Sequence, residues 1–229
     1  MKIKNLILLP ILLLALCGCA GLSTMLSGAA GEYDAGMTLF NQGKFEEAAG
    51  HFSRATELDP EFGEAYLYLG RSYVNLGRWG SALAPLRTAY RLAPGETRKE
   101  IGAILLDALI SAAIGNIRQG NFADGISQLR EGLDLDPASG RLRAEMFTAL
   151  LGHGGQLLQQ GRAGEAIGVY REALGYNSSN SDAYLGLTRA FLQTGDWLKA
   201  KDTLTEALRA HPGSSSLNQF LQQMLLAPR

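Results

Sequence analysis

A 34-residue pattern recurs five times along this chain, and it constrains the fold more than any other feature of the sequence. The clearest copy is GEAYLYLGRSYVNLGRWGSALAPLRTAYRLAPGE, residues 63–96, and residues 181–214 follow it closely. A fixed period of this length is typical of stacked units, each of which packs only on its neighbours. The repeat therefore predicts a solenoid that presents an extended surface, with no obvious catalytic pocket.

Aligning the copies on a shared glycine places the five repeats at residues 29–62, 63–96, 106–139, 147–180 and 181–214. The shared glycines are Gly43, Gly77, Gly120, Gly161 and Gly195. Four of the copies end in a proline, namely Pro60, Pro94, Pro137 and Pro212. Glycine supplies the positive φ that ends a first helix, and proline stops a second helix. This spacing resembles the tetratricopeptide repeat, which implies an all-α fold, a right-handed superhelical solenoid of about five helix–turn–helix units.

Several departures from the repeat carry their own expectations. Residues 97–105 and 140–146 are extra to the 34-residue period and consist of good helix formers, so each should lengthen the following first helix by about two turns. At the fourth position of the first repeat, Glu32 replaces the usual aromatic residue, which suits a solvent-facing end of the repeat array. The glycines at 152–155 predict either a hinge, a place of close ligand approach, or close helix packing. Residues 215–229 predict a C-terminal capping helix, which a solenoid end requires.

The leader predicts a lipid anchor. Two lysines precede an apolar run of 11 residues, Leu6–Leu16, which is too short to span a bilayer as a helix. The sequence Leu-Cys-Gly-Cys at 16–19 then resembles a bacterial lipobox. That resemblance implies a signal peptide over 1–18, cleavage before Cys19, and a lipidated Cys19 followed by a flexible tether over 19–31. Within that resemblance, Ala20 favours the periplasmic face of an outer membrane. The alternative to a lipidated Cys19 is an ordinary cleaved signal peptide.

Composition excludes several function classes. The net charge is −1 with no block of like charges, so nonspecific nucleic-acid binding is not expected. Both cysteines, Cys17 and Cys19, lie at the end of the leader, and the three histidines fall in three different repeats. Neither a metal site nor a cofactor is therefore expected. The chain also lacks the motifs of nucleophilic or phosphate-binding enzymes.

The resemblance implies that a partner lies along the concave face made by the first helices. An apolar series runs along that face, with basic and amide groups between its members, and this suits an extended peptide or a helix. We call these residues the predicted groove. They are Tyr33, Phe40, Leu67, Arg71, Asn75, Ile110, Ile114, Ile117, Arg118, Leu151, Leu158, Leu185, Arg189 and Leu192. The alternatives are that the apolar series is core, or that the C-terminal helix covers it.

These observations favour a membrane-anchored scaffold of the bacterial envelope that binds other envelope proteins and serves the assembly of an outer-membrane, secretion, pilus or export complex. A second hypothesis is a structural lipoprotein that associates with a second copy of itself as a homodimer, without another partner. A remote third is a cell-wall enzyme or its regulator, for which Glu64, Asp107 and Asp182 are the acids on the predicted face. Those acids belong to different repeats, so they are expected to lie too far apart to share one substrate atom. The chain is not expected to be an enzyme.

Overall fold

The computed structural model describes residues 28–226, which form helices joined by short turns, without a strand in that range. The helices are α1 (28–41), α2 (Phe45–Leu58), α3 (Gly63–Asn75), α4 (Trp79–Leu92), α5 (Gly95–Arg118), α6 (Phe122–Leu135), α7 (Gly140–Gln159), α8 (Ala163–Tyr176), α9 (Ser181–Gln193), α10 (Trp197–Ala210) and α11 (Ser215–Leu226). The all-α helix–turn–helix prediction is confirmed. The signal peptide, Cys19 and most of the tether lie outside the described residues.

The chain divides into two compact units, and the division falls inside α5 between Leu109 and Ile110. The first unit contains α1 to α4 and the N-terminal part of α5. The second contains the remainder of α5 and continues to α11. Each unit has its own buried apolar clusters, centred on Phe52 in the first unit and on Tyr170 and Leu204 in the second.

Two residues after the end of each first helix lies a glycine whose backbone is in the left-handed region. The φ angles are 75° at Gly43, 69° at Gly77, 79° at Gly120, 73° at Gly161 and 79° at Gly195. Only glycine adopts this conformation without a steric penalty from a Cβ atom, so the shared glycine of the repeat has a direct structural cause. The helix pairs of the fold therefore turn where the sequence pattern places the glycine.

Within each pair, a small residue on the first helix lets a large one from the second helix approach. A Cβ atom on Gly70 would lie 2.6 Å from Cγ of Leu86, and one on Gly36 would lie 2.8 Å from the Phe52 ring. Phe52 and Leu86 are both fully buried. Such close approach excludes water and brings many atoms into van der Waals contact, which stabilises the helix pair.

The helix that carries Thr188 departs from this arrangement. Thr188 stands where the other repeats have a small residue, and it is fully buried. Its hydroxyl donates to the Tyr184 carbonyl oxygen at 2.8 Å, so the buried polar group has a partner. Gly186, two residues earlier, makes room for a different neighbour, because a Cβ atom there would overlap the ring of Tyr170 from the preceding helix pair.

The two extra segments extend helices, as predicted. α5 has 24 residues and α7 has 20, whereas α3 and α9 have 13 each. α5 is long and apolar enough to cross a membrane by composition, with a mean hydropathy of 1.6 over an 18-residue window. It nevertheless contributes core residues, including Ile101, Leu105 and Leu109, which are at most 3% exposed. We therefore describe α5 as a core helix of the fold.

Glu32 differs from its sequence-based interpretation. Its side chain is only 30% exposed and lies between α1 and α2. One Glu32 carboxylate oxygen is 2.7 Å from Nδ1 of His51 and 2.9 Å from Nε of Arg54. Hydrogen bonds from His51 and then Arg54 lower the pKa of Glu32. The partly exposed carboxylate therefore joins two helices, a role that the sequence-based interpretation did not include.

Candidate functional site

In the first unit, the predicted groove is built on aromatic side chains. Tyr33 and Phe40 from α1 are half-buried. The Tyr33 and Phe62 ring centroids are 4.9 Å apart, and those of Phe40 and Tyr68 are 5.3 Å apart. We call the connected rings the aromatic cluster; they are Tyr33, Phe40, Phe45, Phe52, Phe62 and Tyr68. Some of these pairs are tilted and others are edge-to-face, as in the contact of Phe40 with Tyr68, which is an arrangement that aromatic rings prefer.

Arg71 lies against this aromatic cluster. Its guanidinium carbon is 5.3 Å from the Tyr68 ring centroid and 5.9 Å from that of Phe40, which is within cation–π range. No carboxylate among residues 28–226 pairs with Arg71. The rings therefore orient a half-exposed guanidinium whose N–H donors remain free for an acceptor from outside the chain. Asn75 is exposed, and its side-chain amide donates to the Arg71 carbonyl oxygen at 2.8 Å.

The hydroxyl of Tyr33, in the same aromatic cluster, is neutral at neutral pH. Burial is the main cause that raises the pKa of Tyr33, and the nearby Tyr68 and Glu64 raise it further. A neutral phenol can both donate and accept a hydrogen bond. Tyr33 and Arg71 thus offer one neutral and one charged donor to a ligand on the first unit, and Leu67 adds half-buried apolar surface.

In the second unit, most of the predicted groove serves packing. Ile110 and Leu185 are 3% and 7% exposed, so neither can contact a partner without a change in the fold. Half-buried side chains pack against the Tyr170 cluster, namely Leu151, Leu158 and Leu192. Ile114 and Ile117 are half-buried as well. For Ile110 and Leu185 the alternative that the apolar series is core describes the structure better.

The C-terminal helix covers part of the predicted groove in this unit. Leu217 of α11 is fully buried and shares a cluster with Leu185, which answers the question of whether that helix folds over the apolar series. Phe220, Leu221 and Met224 pack on the same cluster. Leu225, which the sequence places on the same apolar side of α11, is instead 70% exposed.

Arg189 remains accessible at the edge of α11. Its guanidinium carbon is 5.3 Å from the Phe220 ring centroid, and the side chain is exposed. Arg189 also lines a cavity of about 180 Å³ together with polar side chains of α11, including Gln219 and Gln223. No carboxylate pairs with Arg189 in the part of the chain that the structure describes. Arg118 is likewise exposed.

The glycines at 152–155 are explained by helix packing. A Cβ atom on Gly152 would lie 2.6 Å from the Phe122 ring, and one on Gly154 would lie 2.7 Å from the Tyr170 ring. His153 stacks on Phe122 with ring centroids 6.0 Å apart. Burial and then the nearby Arg162 lower the pKa of His153, so the imidazole is neutral at neutral pH. Of the three readings of this segment, close packing is the one that the structure supports.

The acids of the remote enzyme hypothesis lie at the surface. Glu64, Asp107 and Asp182 are all exposed, and none is paired with a base in the described range. No group of three histidine, cysteine or acidic side chains suited to a metal ion occurs among residues 28–226.

Sequence reasoning missed the rings that orient the two arginines. Tyr68 and Phe220 lie outside the first-helix positions from which the groove was predicted, although both contact its arginines. The signal was present in part, because Tyr68 is three residues before Arg71 on the same helix. Phe220 could not be found in this way, since its contact with Arg189 depends on how α11 docks.

Comparison with known proteins agrees with the repeat assignment. Two family models, both described as tetratricopeptide repeat, match residues 33–97 and 157–224, which together make up more than half of the chain. A TPR repeats protein from Bacteroides fragilis has a similar solved structure, with a TM-score of 0.55 at 17% sequence identity. That similarity covers 86% of this chain and 97% of the other and concerns the fold alone.

Curated relatives match this chain with only a small part of their own length. The ALBINO3-like protein 3 of Arabidopsis thaliana mitochondria is 28% identical over 131 residues, which is 56% of this chain and 23% of that protein. The anaphase-promoting complex subunit CDC16 of Saccharomyces cerevisiae is 26% identical over 212 residues, which is 80% of this chain and 25% of that protein. The chain thus spans about a quarter of the length of these relatives.

Proposed function

Because the chain belongs to the tetratricopeptide repeat family, we propose that it is a membrane-anchored adaptor of the bacterial envelope that docks a segment of a partner protein on its first helices. Proteins with this fold are generally non-catalytic interaction scaffolds. The partner belongs to the envelope, and the complex serves the assembly of an outer-membrane, secretion, pilus or export machine. The proposal assigns no catalytic step to this chain.

The observation that carries the proposal is the pair of arginines that rings hold in place. Arg71 in the first unit and Arg189 in the second occupy the same position of their repeats, and each lies over an aromatic ring without a carboxylate partner in the described range. Other basic side chains of the described range also lie over rings, such as Arg143 over Tyr176, but Arg71 and Arg189 are the ring-supported arginines that belong to the predicted groove. Rings that restrict the side chain reduce the entropy lost when an acceptor binds, which favours a docking role.

The chemistry of the partner segment follows from these contacts. A guanidinium presents a planar fork that suits a carboxylate in a bidentate arrangement. The half-buried Tyr33, Phe40 and Leu67 add apolar and aromatic surface next to Arg71. A segment that carries apolar side chains and at least one carboxylate would match this surface in both respects.

Site-specific photo-crosslinking tests the location of the docking surface. A photoreactive residue at Asn75 or Gln193, both exposed at the last residue of a first helix, should capture an envelope protein in native membranes. Matched controls at Ala84 and Asp202 are exposed at equivalent positions of the second helices and should capture little. Capture only from Ala84 and Asp202 would move the interface to the second helices and overturn the proposal.

The anchor is part of the same proposal. Cys19 is the residue that would carry the lipids, and two or more acyl chains hold a protein stably on a membrane. We expect Cys19→Ser to shift the protein from the membrane fraction to the soluble fraction on ultracentrifugation of lysed cells. A Cys17→Ser variant is the control and should remain in the membrane fraction. If Cys19→Ser protein also stays with the membranes, the lipid is not what holds it there.

Self-association is the second candidate, and one observation favours it. Leu225 and Leu226 of α11 are 70% and 83% exposed, and α11 contains no charged residue. Two such helices could pair without electrostatic repulsion, whereas a solenoid cap is expected to have a polar outer face. Sedimentation velocity of the purified full chain in detergent decides between the candidates, since an adaptor alone should be mainly monomeric.

A further inference from the structure

A small cleft in the first unit lies where the extra residues of the chain begin. Its walls come from the segment before α3, the first turns of α3, the end of α4 and the first turns of α5. The cavity volume is about 120 Å³. Thr97 and Ile101, which form one wall, belong to the nine residues that exceed the 34-residue period, so a regular repeat would not build this wall.

The cleft combines an apolar interior with an acidic mouth. Its apolar lining residues are Leu67, Ala89, Leu92, Ala93 and Ile101. Ala89, Ala93 and Ile101 are 6% exposed or less, which places them at the bottom. Glu61 and Glu64 also line the cleft, and both are exposed. A ligand that enters therefore meets two carboxylates first and aliphatic carbon below them.

No base of the described chain neutralises these two carboxylates. Of the bases on the first turns of α5, Lys99 pairs with Glu96 at 2.8 Å. The Arg98 guanidinium donates to the carbonyl oxygen of Ala93, a residue that lines the cleft, at 3.0 Å, and it pairs with neither Glu61 nor Glu64. Acids near the start of a helix are common because of the helix dipole, so Glu61 and Glu64 alone would indicate nothing. Their position at the mouth of an apolar cleft is what points to a ligand.

Size and charge together select the ligand class. A cavity of about 120 Å³ holds roughly four waters at about 30 Å³ each, which is far below the 300–1,000 Å³ of drug-sized sites. One long side chain fits this space. Lysine and arginine carry an aliphatic stem that packs on apolar surface and a cationic head that stays at its edge. We propose that this cleft binds a lysine or arginine side chain of a partner protein.

This inference adds a lysine or arginine to the partner segment of the proposed function. It rests on that function only in assuming that the docked partner supplies this side chain. The carboxylate that faces Arg71 and the basic residue that enters the cleft would belong to one docked segment. A probe that carries only the side chain tests the cleft without that segment. Failure of the cleft and failure of the docking surface can therefore be told apart.

The experiment uses two small probes on the full-length protein in detergent, observed by methyl NMR. N-acetyl-lysine N-methylamide should shift the methyl signals of Leu67, Leu92 and Ile101 at millimolar concentration. N-acetyl-norleucine N-methylamide has a similar stem without the charge. We expect the lysine probe to bind about 1.5- to fivefold more tightly, which is the range for exposed ion pairs.

Matched variants make the test specific. A double variant that carries Glu61→Gln and Glu64→Gln should lose the preference for the lysine probe. The control is a double variant of two exposed acids on α2, Glu47→Gln with Glu57→Gln, which should keep that preference unchanged. Equal affinity for the two probes, or a preference that survives Glu61→Gln with Glu64→Gln, would overturn the proposal. Methyl shifts confined to residues outside the cleft would overturn it as well.

Discussion

Single glycines determine how closely the helices of this protein pack. Tyr170 is 4% exposed, and its ring is contained between Gly154 of α7 and Gly186 of α9. Burial raises the pKa of its hydroxyl. The ring thus fills the space that two glycines leave open, and each helix depends on the absence of a Cβ atom.

We expect Gly186→Ala to destabilise the protein by about 1–3 kcal/mol, because its Cβ would overlap the Tyr170 ring and force a rearrangement of the core. Urea denaturation monitored by circular dichroism measures the effect. Gly168→Ala on α8 is the matched control, since a Cβ atom there meets nothing within 4 Å. That variant should be stabilised by about 0.5–1 kcal/mol, as for glycine within a helix. Equal effects of the two substitutions would contradict the packing described here.

The sequence predicted some of these residue roles and not others. The turn glycines were predictable because a positive φ admits few other residues. The role of Thr188 was not, since its hydroxyl bonds to a carbonyl oxygen of its own helix. The pairing of Glu32 with His51 was missed because it depends on the spatial alignment of α1 and α2.

At the scale of elements, the departures from the regular repeat have the most consequence. α5 and α7 are 24 and 20 residues long because of the inserted segments, and the start of α5 builds the acidic cleft. Helix length was predictable from the period and from helix propensity. The cleft was not, because its walls come from four separate segments that only the tertiary structure brings together.

α11 shows how far amphipathicity can be read from sequence. The apolar side predicted from the sequence includes four residues that do pack on the core, namely Leu217, Phe220, Leu221 and Met224. Leu225 follows the same helical spacing but is exposed. Periodicity identifies the face of a helix that can be buried, while the extent of the neighbouring helices decides which of its residues are covered.

A pair of identical substitutions in α11 tests whether this helix is docked. Leu217→Ala should cost about 2–5 kcal/mol, because the side chain is fully buried against Leu185 and Leu204 and its loss leaves a cavity. Leu225→Ala, in the same helix but 70% exposed, should change the free energy of unfolding little. Urea denaturation provides both values. If Leu217→Ala were as harmless as Leu225→Ala, α11 would not be packed on the second unit in solution.

At the scale of the whole molecule, fold and function differ in how well the sequence predicts them. Repeat period and turn glycines define the fold because the same physical requirement recurs in every copy. Partner recognition depends on a few surface groups, such as Arg71 and Arg189, that differ between copies and have no required spacing. Of the predicted groove, the arginines are accessible, while Ile110 and Leu185 are core.

The central claim is that the ring-supported arginines dock an envelope protein, and a pull-down with charge reversal tests it most directly. The full-length protein, an Arg71→Glu with Arg189→Glu variant, and a control are used on detergent-solubilised native envelopes with quantitative mass spectrometry. The control is Arg91→Glu with Arg209→Glu, which reverses two exposed arginines on second helices, one in each unit. Circular dichroism first verifies that all three are folded.

We predict that the wild-type protein and the control capture the same envelope protein and that the Arg71→Glu, Arg189→Glu variant captures at least about tenfold less of it, which corresponds to about 1.4 kcal/mol. Undiminished capture by this variant would contradict the account, because the partner would then bind without the two arginines.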